Sequence, residues 1–432
     1  MKQRLAYAFL TVTIAACGGE DAVDIGGGGS NVTCPEHPNI AAMGTACAIR
    51  GSQNDPVTTD LRLTADNVWL LDGPVFIGDD ENETVLTIDP GTTVFGGNGS
   101  FLLIQRASKL MAEGTAAAPI VLTSAKEVGT RGASDWGGLV INGRAPINNG
   151  DAADGSAPGE VDTGRYGGNL PTDSSGVIRY LRVEFAGNKV DAENELNGIA
   201  FQGVGSGTTV EFIQAHMSSD DGFEFFGGTV QAKYIVVTGA DDDSIDWTGG
   251  WTGGLQFVAV QQLAASGLEA ERGIEGDNLE GNNSATPFSN PTLSNLTLIA
   301  RPDNPSDGIV FRRGTQGALH NSVITGFGGA CISVASSQTE DNVADNSLIV
   351  DNLVHDCGSA IEAGASTILL GRTEANVVAL DPMLDGWIPS GTSPALDIGP
   401  GPTGEFFETV TYAGAFDGVV DWTTGWIEIA TE

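Results

Sequence analysis

The sequence predicts an all-β chain wound as a parallel β-helix, with coils of about 22 to 24 residues. Three observations carry that expectation. First, a short frame recurs: Ser219-Asp220-Asp221-Gly222-Phe223-Glu224-Phe225 is answered one coil later by Asp241-Asp242-Asp243-Ser244-Ile245-Asp246-Trp247. Second, the frame returns upstream as Asn197-Gly198-Ile199-Ala200-Phe201. Downstream it returns as Ser266-Gly267-Leu268-Glu269, Asp307-Gly308-Ile309-Val310-Phe311 and Ser359-Ala360-Ile361-Glu362. Third, a second apolar stretch lies between copies, as at Val210 and Phe212, Tyr234 and Val236, and Phe257 and Val258. Short apolar runs broken by Gly, Asn and Asp, without helical periodicity, fit strands and tight turns.

Composition narrows the function classes. The 432 residues carry 56 Asp+Glu against 19 Lys+Arg, a formal net charge of −37. Such a surface disfavours nucleic acid and anionic lipid as partners. It suits cations, neutral glycans or other proteins, or serves only to keep a large surface solvated. The 61 glycines match a turn-rich solenoid.

Residues 1–17 read as an export signal. Lys2 and Arg4 precede an apolar run from Leu5 to Ala16, too short to span a bilayer. Ile14-Ala15-Ala16-Cys17 resembles the lipobox of bacterial lipoproteins. That resemblance implies a lipid on Cys17 and, with Gly18 following, an outer-membrane protein facing the periplasm or the surface. Residues 18–59 then form a Gly-rich tether and a small Cys loop. In an oxidising compartment Cys34 and Cys47 are expected to close that loop. Cys331 and Cys357, about one coil apart, could bridge neighbouring coils. No Cys/His spacing suggests zinc.

Residues 60–432 are the expected solenoid. Asn67-Val68-Trp69-Leu70-Leu71-Asp72-Gly73, Leu86 to Gly96, Asp135 to Gly143 and Gly273-Ile274-Glu275-Gly276-Asp277-Asn278 resemble bacterial surface lipoproteins of the right-handed, pectin-lyase-like β-helix superfamily. The closing Asp381-Pro382-Met383-Leu384 and Ser393-Pro394-Ala395-Leu396-Asp397-Ile398-Gly399 are similar to the ends of such helices. The resemblance implies the fold and leaves activity open, because the fold carries lyases, hydrolases, adhesins and spacers alike. Asn148 to Thr172 and Ala264 to Asn290 read as insertions, which in solenoids often gather on one face and build a site.

Strand alternation sends Phe223 and Phe225 inward and Glu224 outward. Coil spacing then stacks Glu224 near Asp246 and Asp221 near Asp243, with Asp220, Asp241 and Asp242 at the turn. Crowded carboxylates raise one another's pKa unless a cation intervenes. Asp220, Asp221, Glu224, Asp242, Asp243 and Asp246 are therefore candidate Ca²⁺ ligands, Ca²⁺ being a hard ion that takes six to eight oxygens. A solvated acidic face, with Asp residues capping turns, is the plainer alternative.

Asp221 and Asp242-Asp243 also resemble the acid pairs of polygalacturonase-like hydrolases. The His of that family is lacking on the next coil, where Ala265-Ser266-Gly267 stands. A lyase needs a basic residue, for which Arg272, Arg312 and Arg313 are candidates. Trp251, Glu275 and Asp277 are candidate ligand contacts, Trp251 as a sugar platform in a Gly-rich turn. Trp247 reads as core, and His216 as structural rather than a general base. The leading expectation is a lipid-anchored, exported, non-catalytic protein that binds Ca²⁺ and a glycan or cell-envelope component, touching the membrane only through its lipid. The alternatives are a polysaccharide lyase or glycoside hydrolase using the Asp220–Asp246 patch, and a passive spacer.

Overall fold

The computed structural model describes residues 12–13, 24–26, 32–189, 195–265, 268–361, 369 and 376–431. Cys17, with the lipid expected on it, lies outside those residues, as do most of the tether, Ser266, Gly267 and Glu362. No helix among the described residues is long and apolar enough to cross a membrane.

The chain is a parallel β-helix. It opens with an antiparallel pair, Ile40–Met43 against Ala46–Gly51, beside the Cys34–Cys47 disulfide. From there equivalent strands of successive coils pair in parallel. One stack is made of short strands: Leu139–Asn142, Ile199–Gln202, Phe223–Phe226, Ile245–Thr248, Ile274–Gly276, Ile309–Phe311, Ala330–Val334 and Ser359–Ile361. A second stack is made of long strands: Gly176–Glu184, Thr209–Ser218, Gln231–Ala240, Gly254–Gln261, Thr292–Ile299, Gly317–Thr325 and Leu348–Asp356. The Cys331–Cys357 disulfide joins two neighbouring coils. One coil departs from the repeat expected above. The strand after Ile245–Thr248 is Ile274–Gly276, not the Leu268-Glu269 segment, so Asp246 stacks on Glu275. Small, apolar and acidic residues in succession occur at both places, and only the pairing separates them.

The interior is filled by columns of equivalent residues. Phe201 stacks on Phe225 at 5.3 Å, Phe225 on Trp251 at 4.3 Å, and Trp247 tilts against both Trp251 and Phe311. Trp251 is fully buried, and its indole N–H donates to Val230 O. It offers no face to a sugar, which corrects the expectation drawn from its Gly-rich turn. Glycines 249, 250 and 253 let the turn fold inward rather than outward; a Cβ on Gly253 would meet Val230 O at 1.8 Å.

Each long strand bends at an equivalent residue near its middle that is held at positive φ. Those residues are Tyr180, Phe212, Tyr234 and Phe257, then Asn295, Asn321 and Asn352. Asn tolerates that region, and large aromatics rarely enter it. Here the rings stack from coil to coil, at 4.5, 4.3 and 5.0 Å, which offsets the strain. The Asn side chains form a ladder, Asn352 donating to Asn321 Oδ1 and Asn376 to Asn352 Oδ1.

Past Val377–Ala379 the coiling stops. Residues 396–431 return along the bent corner and form no sheet strand. Trp422 and Trp426 of this strap lie edge-on to the ring stack, Trp422 at 5.3 Å from Tyr234 and Trp426 at 5.8 Å from Tyr180. Asp421-Trp422-Thr423-Thr424-Gly425-Trp426 therefore echoes Asp246 to Trp251 in letters and not in place.

Phe225 sits between two stacked partners at 1 % exposure. Truncation to Ala should cost about 3–5 kcal/mol by lost burial and an unfilled cavity. The denaturation midpoint reads this, and a loss under ~1 kcal/mol would contradict the stacked core.

Candidate functional site

The site grows from one outward-facing column on the short-strand stack. Its successive members are Phe76, Leu103, Val140, Ala200, Glu224, Asp246, Glu275 and Val310. The apolar part is covered by the first insertion, whose Ala157 and Tyr166 pack on Leu103, Val140 and Phe226 as an outer cluster. The acidic part is left open beside it. A cleft of about 360 Å³ lies there. Glu224, Asp246, Gln202 and Thr248 line it from the coils, Pro158, Glu160 and Tyr166 from the insertion, and Arg312 and Arg313 from the far side.

A second column lies at the turn before each short strand, and its acids hold neighbouring coils together. Asp221 Oδ1 accepts from Asp243 N at 3.0 Å, Asp243 Oδ1 from Arg272 N at 3.0 Å, and Asp307 Oδ1 from Ala330 N at 2.6 Å. A backbone N–H left unpaired in this buried turn would be costly, so the Asp at the head of the frame has a structural task. Asp243 is wholly occupied by it, since Oδ2 also lies 3.6 Å from the Arg272 guanidinium. Asp243, a candidate in both the metal and the catalytic set, thus turns both oxygens toward donors of Arg272.

The two columns converge. Carboxylate oxygens of Asp221, Glu224 and Asp246 lie within 4.8 Å of one another, and a second such group is Asp220, Asp221 and Asp242. Among the described residues no Lys or Arg pairs with Asp221, Glu224 or Asp246. Glu275 and Asp277 are neutralised instead. Arg272 lies 3.2 Å from Glu275, Arg312 pairs with Glu275 and Asp277, and Arg313 with Asp277 at 2.8 Å. Both acids are nearly buried, so they position arginines rather than offer themselves to a ligand as expected; Asp277 alone reaches the cleft. Arg312, the candidate base of a lyase, is ion-paired with Glu275 and Asp277 at the edge of the cleft; burial lowers its pKa, but these partners outweigh it and raise the value.

Burial raises the carboxyls of Asp221, Glu224, Asp243 and Asp246 well above the carboxylate range, and neighbouring acids add to it. Glu275 is lifted by burial to about 7 despite its arginines. Glu160, on the insertion, is likewise lifted by burial and by Glu195 to about 7. Two oxygens at the junction have no hydrogen-bond partner among the described residues: Asp246 Oδ1 and Asn197 Oδ1. Asn197 is 2 % exposed, and its Nδ2 donates to Glu224 Oε2 at 2.6 Å. It occupies the Asp221 position of the preceding coil, so the repeat frame itself points to it. Glu160 and Tyr166 carried no such signal, because nothing in a polar loop says where it folds back. His216 is buried, bonded to Thr238 Oγ1 and Ala430 O, and takes no part in the cleft.

A family model for a pectate-lyase-like β-helix domain matches residues 55–377, well over half of the chain. The chain belongs to that family. No curated protein and no solved structure matches.

Raised carboxyls fix the sign of a pH effect. The folded chain keeps protons here that the unfolded chain releases near pH 4, about the ordinary value. Their stabilisation is complete below that value and is lost as pH rises through the raised pKa values, Glu275's value of about 7 among them. Asp79 and Asp345, lowered by hydrogen bonds, act with the opposite sign below this window, and His216, His320 and His355, lowered by burial, act with the opposite sign within it. In EDTA the melting temperature of Asp246→Asn, taken relative to the unsubstituted protein, should therefore rise between pH 5 and pH 8, because the substitution removes a raised carboxyl and leaves the histidines in place. A difference that is constant or shrinks over that range would contradict the raised value.

Proposed function

We propose that this chain is a non-catalytic β-helix protein that binds Ca²⁺ at Asp221, Glu224 and Asp246 and holds a glycan or cell-envelope component in the adjoining cleft. One observation carries the reading: three converging carboxylates that no Lys or Arg among the described residues pairs with, beside two oxygens, Asn197 Oδ1 and Asp246 Oδ1, to which no described residue donates. An oxygen-seeking dication answers both deficits, and the donor set is all oxygen, as Ca²⁺ requires. Asp220 and Asp242 extend the acidic field. The arginines held by Glu275 and Asp277 face the same cleft, so a ligand there meets fixed positive groups beside the ion. The basic and apolar N-terminal run ending at Cys17 supports export and a lipid anchor at the outer membrane.

A second reading rests on a separate observation. Glu224 and Asp246 stand side by side in register, line the cleft and have raised pKa values. A carboxyl that stays protonated near neutrality can donate to a leaving oxygen while a neighbour acts as base or nucleophile. This supports a glycoside hydrolase more than a lyase, since the arginines are ion-paired.

Ca²⁺ that binds the folded state alone stabilises it by about 2.7 kcal/mol at a hundredfold excess over Kd. Thermal unfolding of the exported part of the chain should show a higher midpoint in millimolar Ca²⁺ than in EDTA. Asp221→Asn and Asp246→Asn, which keep acceptors in place, should abolish the difference. An unchanged midpoint in the unsubstituted protein would sink the calcium reading. Release of reducing ends from neutral or acidic polysaccharides, lost in Glu224→Gln, would favour the hydrolase instead.

A further inference from the structure

The bent corner of the solenoid is built to read a polypeptide backbone. Gln256 donates to Glu408 O at 2.8 Å and accepts from Glu408 N at 2.8 Å. Gln214 treats Glu428 in the same way, at 2.5 and 2.8 Å. Asn295 and Asn321 both donate to Tyr412 O, and Asn352 donates to Pro400 O. These amides address peptide groups of the strap, so they are indifferent to its side chains. Strap side chains are met by the stacked rings of Tyr180, Phe212 and Tyr234 beneath Trp422 and Trp426, and by Lys233 and Tyr234, which both bind Glu408 at 3.1 Å. No sheet strand holds residues 396–431 to the coils. The strap can therefore leave without breaking any coil-to-coil ladder.

We propose that this corner is a polypeptide-binding groove, filled in the folded chain by its own C-terminal segment, and that it accepts an extended segment with two aromatic residues four apart when that segment is released. The coils supply backbone donors and acceptors at fixed spacing, and the ring stack supplies the apolar anchor. This groove lies apart from the acidic cleft and does not depend on calcium.

The test uses the full chain carrying Trp422→Ala and Trp426→Ala, which loosens the strap and leaves the groove untouched. A fluorescent synthetic peptide of residues 405–431 should bind it saturably. The same peptide with both Trp replaced by Ala should bind at least about tenfold more weakly. Unsubstituted protein should also bind at least about tenfold more weakly, because its tethered strap competes at high effective concentration. Gln214→Leu with Gln256→Leu in the receptor should abolish binding. A folded, loosened receptor that ignores the peptide, or binding indifferent to the Gln substitutions, would overturn the proposal. Hydrogen exchange on the unsubstituted chain is an independent check. Strap amides should exchange together and faster than those of Thr209–Ser218 and Gln231–Ala240, and equal protection would also overturn it.

Discussion

The parallel register between coils governs everything else in this molecule. Once Glu224 pairs with Asp246 and Phe225 with Trp247, each side chain sits one strand spacing, about 4.8 Å, from its equivalents. That repetition rewards residues that stack and penalises residues that repel. Phe201, Phe225 and Trp251 gain from it inside, as do Tyr180, Phe212, Tyr234 and Phe257 at the corner. The acids of the outer column bear its cost. Their presence at Glu224, Asp246 and Glu275, where Ala200 and Val310 stand before and after in the column, is a local exception to the repeat.

That exception is placed where the rest of the fold can use it. The turn acids Asp221, Asp243 and Asp307 belong to the scaffold, because each accepts a backbone N–H of the next coil. The outer acids have no such task. Glu275 is relieved by two arginines, while Glu224 and Asp246 are not. The acid cluster is thus two populations, one structural and one available, and Asp221 is common to both. The insertion covers the apolar half of the column and leaves the available half as a cleft wall.

The corner is solved by a different chemistry on the two halves of the solenoid. Stacked rings stabilise the bend in one half and an Asn ladder in the other. Both leave an outer surface that a sheet cannot cover, since the bend interrupts the ladder. The strap covers it with Trp422 and Trp426 over the rings and with its peptide groups over the amides. Covering this surface is what distinguishes residues 396–431 from a further coil.

The parallel β-helix was legible in the recurring small–apolar–acid–aromatic frame, because its period reflects coil length. Alternation placed Phe223 and Phe225 inside and Glu224 outside for the same reason: a strand has only two faces. Both disulfides matched cysteine spacing. Pattern could not say which of two similar segments continues the acid column; Leu268-Glu269 and Ile274-Glu275 differ only in what they pair with. Nor could it place Trp422 by its echo of Trp247. Both follow an Asp and precede a Thr, yet one is buried inside the coils and the other lies on the outside of a bend. The sequence by itself determined the repeat, the inward and outward faces and the excess of carboxylates. Only the tertiary structure decided which carboxylates are paired with an arginine among the described residues, because arginines such as Arg312, and insertions such as residues 148–172, reach their partners through space rather than along the period.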